Sequence, residues 1–212
     1  LKTPIGAYDL VSKLTKVDQF YGPMAFVTSY PNLLDRLQGK SGSGIWIHGV
    51  PLNGDREIKT KGCIALKNSF LEQVDSVIKP NKSVLIISED GFKEVSKDTV
   101  ATVISSLYKW RDSWRDSDLD KYISFYSDDF RRFDGKKINE FKQMKKQIFS
   151  KNEKKTIIFD KINVTPYPSA DGKEYFRVNY FQKYYAPSYT FEGNKEIYIR
   201  MENGKMKIIA EK

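Results

Sequence analysis

Residues 45–68 read IWIHGVPLNGDREIKTKGCIALKN and contain the chain's single histidine, His48, and its single cysteine, Cys63. The apolar run before His48 predicts a short strand, and Gly49 begins the turn after it. A thiol becomes a nucleophile at neutral pH when a nearby base or positive field favours the thiolate, and His48 is the one imidazole that can serve as that base. Gly62 lets backbone amides approach a developing oxyanion. The spacing alone leaves open a buried, apolar role for Cys63 and a structural role for His48.

The remainder of the first half is predicted to be mostly strands with one helix. Strand-like runs occupy residues 25–30, 44–48 and 83–88, each bounded by turn-forming residues. Between the last two runs, Ser69 is followed three residues later by Glu72, which fits a capping box at the start of a helix. Apolar residues at helical spacing follow and give this helix one apolar face.

The wording of the central stretch resembles the YkuD-type L,D-transpeptidase family. That family has a His-Gly pair and, about 14–17 residues later, Ser/Thr-His-Gly-Cys, an apolar residue, an Arg and then an Asn. The residues that fit are His48, Gly49, Thr60, Gly62, Cys63, Ile64, Leu66 and Asn68. The opening segment, residues 2–8 (KTPIGAY), is similar to the family's Thr-Pro-x-Gly strand. The resemblance implies a mostly-β catalytic domain over residues 1–92 that lacks the family's N-terminal strands.

The resemblance also implies a catalytic mechanism that needs no cofactor. Cys63 would attack a peptide carbonyl beside a meso-diaminopimelate centre, and His48, oriented through the carbonyl of Gly49, would be its base. Amides at Gly62 and Cys63 would form part of the oxyanion hole. A thioester acyl-enzyme would follow, and its fate decides the reaction: water gives carboxypeptidase trimming, and an amine gives a cross-link.

Two positions depart from the family's signature. Lys61 stands where the family has His before Gly-Cys, and Ala65 stands where it has Arg. Because alanine cannot replace an arginine fork that binds a carboxylate, recognition of the substrate carboxylate is expected from Lys61 or Arg56. This variant is similar to the cell-shape-determining L,D-carboxypeptidases of helical and curved Gram-negative bacteria. It favours removal of the terminal D-Ala from tetrapeptide stems of peptidoglycan, which leaves tripeptides.

Two alternatives to that function remain open at this point. One is an L,D-transpeptidase that forms peptidoglycan cross-links. The other is a non-catalytic wall-binding protein on a retired catalytic fold, against which the intact pair of His48 and Cys63 argues. A metal-dependent carboxypeptidase is disfavoured, since one histidine and one cysteine cannot build the usual zinc cluster.

Three further residues are expected near the substrate. Trp46 shares strand parity with His48, so both side chains should point to one face, although a core position is slightly favoured for Trp46 over direct substrate contact. Tyr21 is the second aromatic candidate. Asn68 completes the predicted substrate-binding set through its place in the family signature.

Residues 93–212 are predicted to form a second, α+β domain. Three helices, the third over about residues 138–149, precede strands at 156–164, 174–185, 195–201 and 205–210, and Asn203-Gly204 predicts a tight hairpin turn. The stretch WRDSWRDSDLDKYISFYSDDF resembles the opening helices of nuclear transport factor 2-like domains. That likeness implies a cone-shaped sheet around a pocket, and it indicates a fold and no activity. The fold class is therefore α+β throughout.

The formal charge of +9 lies mostly in the second half. Residues 136–155 hold eight lysines against Glu140 and Glu153. A solvated helix face is the leading interpretation of this patch, an acidic wall polymer the second, and nucleic acid the last, so no nucleic-acid partner is predicted. Peptidoglycan stem peptides are the expected partners, and a homodimer is a further expectation.

The expected location is the periplasm. The chain starts at Leu1, and its signal peptide is expected to lie outside this sequence. Its longest apolar runs are only a few residues, so no transmembrane segment is predicted. A single thiol suits an oxidising compartment because it has no internal partner for a disulfide.

Overall fold

A computed structural model shows two compact units, Leu1–Gly91 and Phe92–Lys212. The predicted division after residue 92 lies one residue from this point. The structure describes residues 2–53, 60–89, 91 and 93–212.

The first unit is built on one five-stranded sheet with the strand order β4-β3-β2-β1-β5. Strands β3 and β4 run parallel, and the other neighbours are antiparallel. Its strands are β1 (Gly6–Leu14), β2 (Ala25–Thr28), β3 (Trp46–His48), β4 (Ile64–Ala65) and β5 (Val84–Ile87). Its helices are a 3-10 turn (Gln19–Tyr21), α1 (Leu33–Leu37) and α2 (Asn68–Asp75).

A small apolar core fixes helix α2 on this sheet. Leu10, Phe26 and Ile47 from the strands pack with Leu71 of α2, and Leu71 is fully buried. The predicted capping box at Ser69 is wrong, because the N-cap of α2 is Lys67, two residues earlier, and its side chain makes no capping hydrogen bond. The Asn68 side chain at the first turn is bonded elsewhere, as described below.

The second unit is a helical layer on a five-stranded sheet with the order β6-β10-β9-β8-β7. The β10–β6 pair is parallel and the other pairs are antiparallel. Its helices are α3 (Lys97–Arg115), α4 (Leu119–Ser124) and α5 (Ile138–Phe149). Its strands are β6 (Tyr126–Arg132), β7 (Thr156–Tyr167), β8 (Tyr175–Ala186), β9 (Tyr189–Glu202) and β10 (Lys205–Glu211).

The hairpin between β9 and β10 forms at the predicted dipeptide. Asn203 and Gly204 both have positive φ, 50° and 72°, which is the requirement of a type I′ turn. Its twist matches that of the flanking long strands, so β10 returns in register beside β9. The predicted α+β fold class is confirmed for both units.

Aromatic residues dominate the core of the second unit. Trp110 of α3, Tyr122 of α4 and Phe141 of α5 are all essentially buried, and the Trp110 ring also contacts that of Phe159 in β7. The ring of Tyr122 stacks 5.8 Å from that of Trp110, which ties the first two helices together. Within the residues that the structure describes, no helix is long and apolar enough to cross a membrane.

The lysine-rich stretch over residues 136–155 is only partly the solvated face that its composition favours. Most of its lysines are exposed, but Lys145 and Lys155 are 9% and 5% exposed. Helical periodicity turns Lys145 to the same side as Phe141 and Phe149, which places it on the buried face of α5.

Candidate active site

The parallel pairing of β3 with β4 brings the two halves of the sequence motif together. Ile47 pairs with Ile64, and His48 pairs with Ala65. The amide of Leu66 donates to the carbonyl of His48 at 2.9 Å. Cys63, the residue before β4, therefore enters the sheet beside the strand that ends at His48.

His48 is fully buried at the end of β3. Its ring atom Nδ1 lies 2.6 Å from the carbonyl oxygen of Gly49. Because a carbonyl oxygen can only accept, Nδ1 carries the proton of the neutral ring, and Nε2 is the basic nitrogen. The local backbone thus selects the tautomer that a general base requires.

Tyr21 supports His48 and Gly49 from the 3-10 turn. Its ring meets the His48 ring edge-on at 5.1 Å and the Trp46 ring at 5.4 Å. Its carbonyl oxygen accepts a hydrogen bond from the Gly49 amide at 2.8 Å. Trp46 and His48 were predicted to point to one face, and their common contact with Tyr21 agrees with this. Trp46 is half-buried and is not a fully buried core residue.

Asn68 is bound to the backbone that follows His48 and Gly49. Its Oδ1 accepts from the amide of Val50 at 2.9 Å, and its Nδ2 donates to the carbonyl of Val50 at 3.1 Å. This arrangement favours a positioning role over the substrate contact expected for Asn68. A Cβ at Gly49 would fall inside contact distance of Asn68 Oδ1, so the close approach requires glycine.

Cys63 is half-buried, and its thiol donates to the carbonyl of Gly44 at 3.2 Å. The hydroxyl of Thr60 donates to the Cys63 carbonyl at 2.6 Å and fixes the backbone that carries the thiol. Gly62 has φ of +103°, and a Cβ there would lie 3.0 Å from Ile45 Cδ1. The position before Cys63 thus favours glycine both for its backbone angle and for the space available.

Thr60 and Gly44 belong to the thiol's surroundings but not to the predicted site set. The family signature includes Thr60, but the sequence does not indicate its hydrogen bond to the Cys63 carbonyl. Gly44 carries no such signal, since its backbone carbonyl approaches the thiol only through the fold. Lys61 is exposed beside Gly62, and Arg56 lies outside the described residues.

Within the same described residues, no group of three or more His, Cys, Asp or Glu side chains is placed to hold a metal ion. The two candidate catalytic side chains are a half-buried thiol on the residue just before β4 and a buried imidazole at the end of β3, the parallel neighbour of β4.

Family models match both units of the chain. Residues 1–86 match the L,D-transpeptidase catalytic domain YkuD, and residues 102–212 match the Cds6 C-terminal NTF2-like domain. The chain belongs to the YkuD family of L,D-transpeptidases. Its second unit is an NTF2-like domain, as its opening helices predicted. This YkuD chain thus has the catalytic domain of an L,D-transpeptidase-type enzyme.

Solved structures are similar to this chain over nearly its whole length. The helical cell shape determining protein Pgp2 of Campylobacter jejuni is 44% identical over 100% of this YkuD chain and 75% of its own, with a TM-score of 0.92. A Pgp2 variant with one lysine replaced by alanine gives a TM-score of 0.95 at the same identity, over 74% of its own chain. Bd1075 of Bdellovibrio bacteriovorus is 27% identical over 99% of this chain and 78% of its own, with a TM-score of 0.79. No curated protein matches the chain.

Proposed function

We propose that the chain is a cysteine-dependent L,D-carboxypeptidase that removes the terminal D-Ala from tetrapeptide stems of peptidoglycan in the periplasm. Its membership of the YkuD family supports an acyl-transfer reaction at the cell wall. Its likeness to Pgp2, a protein named for helical cell shape, supports a role in shaping the cell.

The contact between His48 Nδ1 and the Gly49 carbonyl carries this proposal. It fixes the tautomer that leaves Nε2 basic, and a base is what a thiol nucleophile needs near neutral pH. The parallel pairing of β3 with β4 supports a reaction between the thiol and this ring. Rotation about χ1 would release the thiol from the carbonyl of Gly44.

The proposed reaction has two steps. His48 Nε2 takes the thiol proton, and Cys63 Sγ attacks the carbonyl carbon of the scissile peptide bond. The C–N bond breaks, the proton passes from His48 to the leaving amine, and D-Ala departs. Water then gives one proton to His48 while its oxygen attacks the thioester carbonyl, and the thiol leaves with that proton.

Lys61, Arg56, Trp46 and Tyr21 are proposed to contact the stem peptide. Lys61 is exposed beside the thiol's loop and carries a charge suited to a terminal carboxylate. Trp46 and Tyr21 offer ring faces next to His48. The presence of Ala65 in place of the family's arginine supports a substrate preference different from that of the cross-linking members.

Digestion of a purified disaccharide tetrapeptide tests the proposal. The wild-type chain should release D-Ala, and Cys63→Ala and His48→Ala should each lower the rate by roughly 10³-fold or more, because nucleophile and base act as a unit. Circular dichroism verifies that both variants fold. Retained turnover in folded Cys63→Ala would overturn the assignment of the nucleophile.

Mass spectrometry of the products separates hydrolysis from transfer. With an acceptor stem present, tripeptides are expected, and cross-linked dimers as the main product would contradict the carboxypeptidase assignment. Release of D-Ala from the tetrapeptide stem, with the pentapeptide stem left uncut, would show that the enzyme acts on tetrapeptides. Homodimer formation stays a prediction, for which sedimentation velocity is the direct measurement.

A further inference from the structure

The backbone carbonyl of Gly44 lies at an open edge of the first unit's sheet, just before β3. Carbonyls of successive residues in an extended chain point to opposite sides, towards the two neighbouring strands. The Ile45 carbonyl accepts from the amide and the hydroxyl of Thr28 in β2, at 3.2 Å and 2.7 Å. The His48 carbonyl accepts from Leu66, just after β4, at 2.9 Å. By this alternation the Gly44 carbonyl faces the β4 side.

The short length of β4 leaves this acceptor outside the strand pairing. The two residues of β4, Ile64–Ala65, pair with Ile47 and His48, so the pairing ends before it reaches Gly44. The thiol of Cys63, one residue before β4, donates to the Gly44 carbonyl at 3.2 Å. A thiol is a weak donor compared with a backbone amide. A strong acceptor beside the candidate nucleophile is therefore held by a weak donor.

The surrounding chain holds this carbonyl in place and leaves it accessible. The bonds of Thr28 to Ile45 fix the residue that follows Gly44. On the other side, the hydroxyl of Tyr30 donates to the Ser41 carbonyl at 3.3 Å. Gly44 itself is exposed, and a Cβ there would meet no atom within 4 Å. Another chain thus has room to approach the backbone at this point.

We propose that the Gly44 carbonyl binds a main-chain N–H of the stem peptide, which replaces the thiol and frees Cys63 to attack. Extended peptides bind open sheet edges through main-chain hydrogen bonds of this kind. The exchange favours the bound peptide, because an amide N–H is a stronger donor than a thiol. The freed thiol then passes its proton to His48 Nε2. The inference rests on the stem-peptide substrate of the proposed function and adds to it a contact that releases the nucleophile.

The same exchange makes the thiol less reactive before the peptide arrives. In the free chain, sulfur must keep its proton to donate to Gly44, and a thiolate would face the negative end of the carbonyl dipole. The thiolate is the form that reacts with alkylating reagents. Moving the carbonyl away should therefore speed alkylation of Cys63 and, at the same time, weaken binding of the stem.

Three glycine variants separate the carbonyl from the rest of its segment. Gly44 has a φ of +75°, which a β-branched residue rarely adopts, so Gly44→Val should turn the carbonyl away from Cys63. Gly44→Asn is the conservative variant, because asparagine tolerates a left-handed backbone. Gly39→Val is the matched control, since Gly39 has the same φ and the same open space at its Cβ. Circular dichroism verifies folding, and Gly44→Ala takes the place of Gly44→Val if the latter does not fold.

The first measurement is the rate at which iodoacetamide alkylates Cys63 in the free chain at neutral pH. Gly44→Val should react about threefold faster than the wild type or more, as expected for loss of one hydrogen bond. Gly44→Asn and Gly39→Val should react at the wild-type rate. An unchanged rate in folded Gly44→Val, or an equal increase in either of the other two variants, would contradict the role given to the carbonyl.

The second measurement is calorimetric binding of a disaccharide tetrapeptide in the Cys63→Ala background, in which no thiol is present to react. Adding Gly44→Val should weaken binding by about fivefold, because the peptide loses an acceptor. Adding Gly39→Val should leave the affinity unchanged. Equal affinities with and without Gly44→Val, or no binding by Cys63→Ala at millimolar peptide, would overturn the contact with the substrate.

Neither measurement needs turnover, which separates the Gly44 contact from the proposed reaction. Binding that depends on Gly44 in a chain that releases no D-Ala would refute the reaction and support the contact. Release of D-Ala by the wild type, together with equal affinities with and without Gly44→Val, would refute the contact and leave the reaction standing.

Discussion

The side-chain amide of Asn68 forms two hydrogen bonds with one residue, accepting from the amide of Val50 and donating to its carbonyl. These bonds join the start of α2 to the segment just after His48 and Gly49. The sequence motif therefore holds a residue whose polar atoms face the protein's own backbone. Its effect on the reaction would pass through the position of His48.

Replacing Asn68 by alanine should lower both stability and turnover. Loss of the two bonds is expected to lower the free energy of unfolding by about 1–2 kcal/mol and the rate of D-Ala release by roughly tenfold. Chemical denaturation and a muropeptide assay measure the two effects. Ser69→Ala, one residue along on the exposed side of α2, should change each by little. A rate loss in Ser69→Ala as large as that in Asn68→Ala would contradict the role given to Asn68.

The close approach of Gly49 to Asn68 makes these positions energetically coupled. Gly49→Ala places a methyl group against Asn68 Oδ1 and should destabilise the fold strongly. The double variant Gly49→Ala/Asn68→Ala removes that clash, so its loss of stability should be smaller than the sum of the single losses. Denaturation midpoints of the four proteins give the coupling energy, and strict additivity would show that the two residues do not meet in solution.

Thr60 is expected to act on Cys63, the proposed nucleophile, through the backbone. Thr60→Val keeps the shape of the side chain but removes the hydroxyl that donates to the Cys63 carbonyl, with an expected cost of about 1 kcal/mol in stability. The rate of thiol alkylation at Cys63 should change with it, because the loop that carries the thiol is no longer fixed. Thr60→Ser retains the hydroxyl and should restore the wild-type rate. If Thr60→Ser does not restore the wild-type rate, the role given to the Thr60 hydroxyl is contradicted.

Lys145 should make stability depend on pH in the alkaline range. Burial lowers its pKa from the ordinary 10.5 to about 8 in the folded chain, so between these values the unfolded chain binds more protons. The free energy of unfolding should therefore rise with pH through this window, by about 3 kcal/mol at most. The measured quantity is the difference from Lys145→Met between about pH 7 and pH 9.5, in which contributions of other groups cancel. A difference that stays flat, as expected for Lys146→Met, would count against a desolvated ammonium at Lys145.

The sequence was most informative where local chemistry decides the structure. The Asn203-Gly204 turn and the range of α5 follow from turn preference and helical periodicity, and both agree with the structure. The start of α2 could not be predicted from a local cap, because its N-cap, Lys67, makes no side-chain capping bond, and the side chain of Asn68 is bonded to Val50, which is distant in sequence. The burial of Lys145 could not be predicted from composition either, since composition counts charges but does not show which face of a helix they occupy.

The same limits apply to the candidate site. Pattern and resemblance singled out Cys63 and His48 as the reacting pair, and these remain the proposal. The carbonyls that hold them, from Gly44 and Gly49, carry no side-chain signature. Backbone acceptors of this kind become visible only when the strands are paired.

Three distant turns of the first unit interlock at two glycines. A Cβ at Gly22 would lie 2.6 Å from Asn68 Oδ1 and 2.7 Å from Gly49 Cα. The Tyr21–Gly22 turn, the His48–Gly49 turn and the start of α2 are therefore packed too closely for a side chain at Gly22. Transplanting the thiol and imidazole onto another sheet would fail without all three segments. For protein design, the smallest portable unit is this trio of turns rather than the two reactive side chains.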